Sequence, residues 1–170
     1  AIPGHHYQIS LQMENASLPA FRRILIYSAY AEGWALYTES LGKELGLYSD
    51  PYQYFGMLSA EMHRAIRLVV DAGMHTQGWT REQSIQYSMD HEAEPEESII
   101  SEIERYMAIP GQALSYKIGQ LKIRELRANA EKELGGKFNI AQFHNQVLDS
   151  GPIPLSVLEQ KINRWIEAVK

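Results

Sequence analysis

No stretch of this chain alternates apolar and polar residues with the period of two that a half-buried strand requires. Apolar residues recur at helical spacing almost throughout. Proline and glycine cut that pattern into pieces. Pro3 opens a helix through His5 to about Glu14, and Leu18-Pro19 breaks it. A second helix is expected from about Ala29 to Leu45, with Gly46 as C-cap. Asp50-Pro51 is an N-cap followed by proline at the first helical position, and starts a third helix to about Met74. Thr80-Arg81-Glu82-Gln83 reads as a capping box before a short helix to about Asp90. The acidic segment His91 to Glu97 turns at Pro95, and Glu96 to Met107 are helical until Pro110-Gly111. Gln112 to Leu134 form a long helix ended by Gly135-Gly136. Asn139 caps a helix to about Leu148, and Pro154 opens the last, to about Ala168. The expected architecture is a single irregular all-α domain of about seven helices over residues 1–170.

The 170 residues, 45% of them hydrophobic, suffice for one real core. A net charge of -5 argues against a nucleic-acid surface, which needs clustered Lys and Arg. Without cysteine, neither a disulfide nor a thiolate metal site is possible. No apolar run approaches the ~18 residues of a membrane span. The chain starts at Ala1, almost on top of a histidine pair, so half of a motif is expected upstream, in a larger helical protein.

That pair is His5-His6, and 27 residues after His5 comes Glu32, set among Tyr30, Ala31, Gly33, Trp34, Ala35 and Leu36. Neutral imidazole and carboxylate are the donors zinc prefers at hydrolytic sites. Adjacent helical residues point in different directions, so at most one of His5 and His6 is expected to bind metal directly. The bland alternative leaves both at a frayed end. A carboxylate in such apolar surroundings is expected to be partly buried, and then needs a metal or a basic partner, such as an arginine of the third helix. Gly33 weakens a helix by about 1 kcal/mol relative to Ala, so a close approach by another element is the expected reason for it.

The third helix carries Arg64, Arg67, Asp71 and His75 on one face, opposite Ile66, Val69, Val70 and Ala72. The stripe either is solvated or lines a polar cavity. Arg67–Asp71 and Asp71–His75 are i,i+4 pairs, and a carboxylate behind an imidazole sets its tautomer. Arg105-Tyr106 precede the break at Pro110-Gly111, and Tyr116 follows it. Such groups can donate to an oxyanion or hold a carboxylate, although tyrosines at helical spacing more often belong to a core. His63, His91 and His144 have no partner visible in sequence, and neither a phosphate-binding loop nor a nucleophile elbow occurs.

Ala1-Ile2-Pro3-Gly4-His5-His6, Glu32 to Tyr37, Arg67 to Asp71, Gly78 to Gln83 and Pro110 to Lys117 together resemble the C-terminal part of the bacterial domain-of-unknown-function 885 family. Members resemble zinc metallopeptidases of the gluzincin type and share a motif His-Glu-x-x-Pro-Gly-His-His. Ala1-Ile2 would be its variable residues, with the His-Glu just before the chain starts. The resemblance implies that His5 is a zinc ligand with His6 adjacent, that Glu32 is another ligand, and that the upstream His and Glu are the remaining ligand and the general base. It also implies that Arg67, Asp71, Arg105, Tyr106, Tyr116 and His75 line a cleft. Within it, Tyr116, Tyr106 or His75 would act on the oxyanion, and Arg67, Asp71 and Arg105 would hold substrate.

The resulting expectation is part of a zinc-dependent metallopeptidase-like hydrolase acting on peptides, inactive as this chain alone. The alternative is a non-catalytic helical binding or scaffold domain with a structural polar network. Family members often carry export signals, which favours the cell envelope or periplasm. Apolar surface left open by a missing part would permit a homodimer.

Overall fold

The computed structural model describes residues 3–170, so Ala1-Ile2, the expected variable pair of the motif, lie outside the described residues. Among the described residues the chain is all-α. Its helices are α1 (His5–Glu14), α2 (Ala20–Ile24), α3 (Ser28–Glu44), α4 (Pro51–Thr76), α5 (Arg81–His91), α6 (Glu96–Ala108), α7 (Gln112–Leu134), α8 (Ile140–Leu148) and α9 (Leu155–Val169). The nine helices among the described residues agree roughly with the expected seven, and the five-residue α2 after the Leu18-Pro19 break is too short to show a period. None of these helices is long and apolar enough to cross a membrane.

Local signals set most helix starts. The Asp50 side chain accepts the Tyr52 amide ahead of Pro51. Thr80 and Gln83 close both halves of the capping box at α5, and Asn139 accepts the Gln142 amide at α8. At Gly135-Gly136 the chain makes a single 3-10 turn, Gly135–Lys137, before turning away.

The chain divides into two compact units, with boundaries inside α3 and α7. Unit 1 comprises the described residues up to Glu39 together with Ile118–Lys170. Its core holds Tyr30, Trp34, Leu36 and Tyr37 of α3, Ile123 and Leu126 of α7, and Phe143 and Val147 of α8. Leu158, Ile162 and Ile166 of α9, spaced by four, form one buried stripe. Unit 2 is Ser40–Lys117. Ile66 and Val70 of α4, Ile85 of α5, and Ile99, Ile103 and Tyr106 of α6 pack together with Ala113.

Of the α4 face expected to be solvated or to line a cavity, Arg67 and Asp71 are instead sunk into unit 2, Arg64 is half-buried and His75 is exposed. Arg67 is 7% exposed and Asp71 1%, as deeply buried as Ile66 and Val70 of the apolar face. Burial of these charges is tolerable because each meets partners from other helices.

Candidate functional site

The first cluster belongs to unit 1. Pro3-Gly4 lead into α1, whose first residue is His5, and Glu32 lies in the early turns of α3. The His5 imidazole Nε2 is 2.9 Å from Glu32 Oε2. The Glu32 side chain is 18% exposed, so the carboxylate is largely sunk, as its apolar neighbours suggest. His6 is exposed. Gly33 has the expected reason. A Cβ there would lie 2.5 Å from the Gly119 Cα, and a Cβ on Gly119 would lie 1.9 Å from the Ala29 carbonyl oxygen. The α3 and α7 backbones touch directly beside Glu32, which only glycine allows. A cavity of about 230 Å³ adjoins the pair, walled by Ile9, Leu25, Ile26 and Tyr30 with Gln8 and Gln12 among its lining.

An imidazole nitrogen and a carboxylate oxygen converging at a half-buried place match the donors zinc takes at hydrolytic sites. His5 and Glu32 therefore fit as two ligands. Among the described residues no group of three or more His, Asp or Glu able to hold a metal ion occurs.

The second cluster belongs to unit 2 and gathers the other candidate residues. Arg67 does not pair with Asp71. Its Nε donates to the Tyr106 hydroxyl at 2.8 Å and its Nη2 to Glu102 at 2.7 Å. Tyr106 in turn donates to Glu102 at 2.7 Å. Arg105 grips both Glu102 oxygens, at 3.0 and 2.9 Å, and reaches Gln112 at 2.8 Å. The Arg105 hydrogen bonds, aided by Tyr106 and the Arg67 charge, pull the Glu102 carboxyl down to about 2. Burial pushes the Tyr106 phenol well above its ordinary range. The Arg67 guanidinium lies 4.8 Å from the centre of the Tyr116 ring. The Tyr116 hydroxyl meets Gln112 at 3.4 Å.

Asp71 faces the start of α7. Gly111, at φ +80, donates its amide to Asp71 Oδ2 at 3.0 Å. The left-handed backbone at Gly111 suits glycine and aims that amide at α4. Burial raises the Asp71 carboxyl, opposed by the amides of Gly111 and Leu114 and by the charge on His75. Asp71 thus caps α7 from a neighbouring helix. His75 Nε2 lies 3.2 Å from Asp71 Oδ1 and 3.1 Å from the Tyr106 carbonyl. A carbonyl only accepts, so Nε2 carries a proton.

Sequence reasoning missed Glu102, the hub of this cluster, and left three histidines unplaced. His63 Nδ1 meets Glu92 at 2.5 Å, where the Glu92 side chain is 4% exposed. His144 Nε2 pairs with the Tyr37 hydroxyl at 2.8 Å in unit 1. His91 stacks on Tyr87 and bonds to its carbonyl. Only the i,i+4 position of His91 relative to Tyr87 left a trace in sequence.

Residues 1–162 match the model of a family described as bacterial proteins of unknown function, DUF885. The chain belongs to this family. Two solved structures, each described as that of a putative lipoprotein, share the DUF885 chain's fold. One, from Colwellia psychrerythraea, is 51% identical with a TM-score of 0.96, over 99% of this chain and 29% of that one. The other, from Shewanella oneidensis and of unknown function, is 27% identical with a TM-score of 0.85, over 94% of this chain and 29% of that one. The chain therefore spans under a third of the length of these relatives. No functionally curated protein matches the sequence.

Proposed function

We propose that this DUF885 chain is part of a zinc-dependent, peptidase-like hydrolase in which His5 and Glu32 are two of the metal's protein ligands. The observation that carries this reading is the 2.9 Å approach of two donors of suitable chemistry from separate helices. The family motif supplies the rest: a His-Glu dipeptide ahead of Ala1 would provide the remaining ligand and the general base. Zinc held there would lower the pKa of a bound water and polarise a peptide carbonyl. Within this chain, His5 and Glu32 would bind and orient the ion, and Glu32 would offset part of its charge. The apolar walls of the adjoining cavity suit an apolar side chain of a peptide. The solved relatives described as lipoproteins support a cell-envelope location.

The test uses a longer form that includes the residues before Ala1. Elemental analysis is expected to find about one zinc per chain, and Glu32→Ala to abolish peptide hydrolysis. Full activity in that variant would remove Glu32 as a ligand, and a metal-free longer form would remove the reading.

A second reading, a non-catalytic helical scaffold, draws support from unit 2. Arg67, Arg105 and Tyr106 all turn inward onto Glu102 and hold it as a structural knot. His75, whose Nδ1 faces no hydrogen-bond partner among the described residues, and Tyr116 are the side chains best able to bond a ligand. Under this reading Arg67→Ala costs roughly 1–3 kcal/mol of stability, because Glu102 keeps Arg105 and Tyr106 as partners while the Tyr106 hydroxyl loses a donor. It also predicts that the longer form holds no metal and that the folded variant shows no change in binding.

A further inference from the structure

A tryptophan beside Glu32 reaches the turn that precedes His5. Trp34, two residues after Glu32 on α3 and 2% exposed, donates its indole Nε1–H to the Pro3 carbonyl at 3.0 Å. Pro3 and Gly4 form the turn that delivers His5 to the first position of α1, and Gly4 is buried. No cap side chain bonds that helix start. The turn is therefore held by α3 at two points: the Glu32 carboxylate on the His5 ring and the Trp34 indole on the backbone before it.

The indole is itself fixed. The His144 ring meets it edge-on, with centroids 5.4 Å apart and planes at 89°. Tyr37, one turn along α3, packs at 5.7 Å and bonds His144 through its hydroxyl. Arg127 Nη1 donates to the same hydroxyl at 3.3 Å. A chain of contacts thus runs from α7 through α3 and α8 to the Pro3 carbonyl.

We infer that Trp34 is a positioning residue for the proposed metal pair, holding the Pro3-Gly4 turn so that His5 meets Glu32. The inference rests on the zinc reading above. A ligand delivered by a short turn is only as well placed as that turn, and loss of such outer support lowers metal affinity roughly 10–100-fold. Trp34 acts here through one hydrogen bond, separable from the packing of its ring.

The experiment measures zinc affinity by chelator competition in the longer form that includes the residues before Ala1. It compares wild type, Trp34→Phe, and a protein carrying 3-benzothienylalanine at position 34, whose sulfur replaces the indole N–H without changing the ring's shape. Both variants are expected to bind zinc roughly 10–100-fold more weakly. The melting temperature of the benzothienyl protein in excess chelator should fall by only the few degrees that one lost hydrogen bond accounts for, which separates positioning from general destabilisation. If Trp34→Phe fails to fold, the benzothienyl protein decides. Zinc affinity in that protein within about twofold of wild type would overturn the role of Trp34 while leaving the zinc reading intact. A wild-type longer form that binds no zinc would overturn both.

Discussion

Glu102 gathers three donors around one carboxylate, and its acid behaviour follows from them. Arg105 contributes most, then Tyr106 and the Arg67 charge, and the folded-state value falls from 4.5 to about 2. As pH drops, the unfolded chain takes up this proton first. The stabilisation is present in full above the unfolded value and is lost as pH falls from about 4.5 towards about 2. Glu102→Gln should therefore flatten the loss of stability across that window, read from urea midpoints at successive pH values. A variant as acid-sensitive as wild type would remove this role. Asp71 has the opposite sign: burial raises its carboxyl, so its share of stability declines as pH rises through its titration. Spacing along α4 had suggested that Arg67 and Asp71 pair. Instead Arg67 turns to α6 and Asp71 to α7. An i,i+4 separation permits a contact, but desolvated charges take whichever partner neutralises them best, and those partners lie 35 and 40 residues away.

At the scale of elements, the caps were legible because each lies within three residues of the helix it starts. Asp50, Thr80 with Gln83, and Asn139 all act where sequence pattern places them. The cap of α7 was not legible, since the Asp71 carboxylate comes from α4 and Pro110-Gly111 announces only a break. Gly33 signalled a close approach without naming the partner. Gly119 of α7 is that partner, and a methyl group there would collide with the Ala29 carbonyl oxygen at 1.9 Å. Backbone cannot yield as a flexible side chain would, so Gly119→Ala should destabilise the protein by about 1–3 kcal/mol or more. The matched control is Gly56→Ala on α4, where a Cβ meets nothing within 4 Å. There the added methyl should stabilise by about 0.4–1 kcal/mol through the unfolded chain. Thermal unfolding of the two variants checks both signs, and equal effects would refute the close-contact account.

At the scale of the molecule, the solved relatives are more than three times as long as this chain, so a complete metal site is a property to seek in a longer form. Zinc that binds only the folded state stabilises it by mass action, about 2.7 kcal/mol when free zinc is one hundred times its dissociation constant. The melting temperature of that form should rise with zinc, fall back with chelator, and fail to respond in Glu32→Ala. An equal zinc response in Glu32→Ala would place the ion elsewhere. Phe21, Ile24 and Ile26, 64%, 77% and 73% exposed around α2, mark the most open apolar surface of unit 1. Sequence by itself determined the all-α class, the capped helix starts, and the pairing of His5 with Glu32 as candidates. Helical period and capping are short-range, and the family motif names residue types in order. Only the tertiary structure decided that Arg67 and Asp71 of α4 are buried, that Glu102 is the hub of their cluster, that Glu92 meets His63, and that the Trp34 indole bonds the turn before His5. Each of those contacts joins helices far apart in sequence. Its strength comes from desolvation and the geometry of neighbouring backbones, which no local spacing encodes.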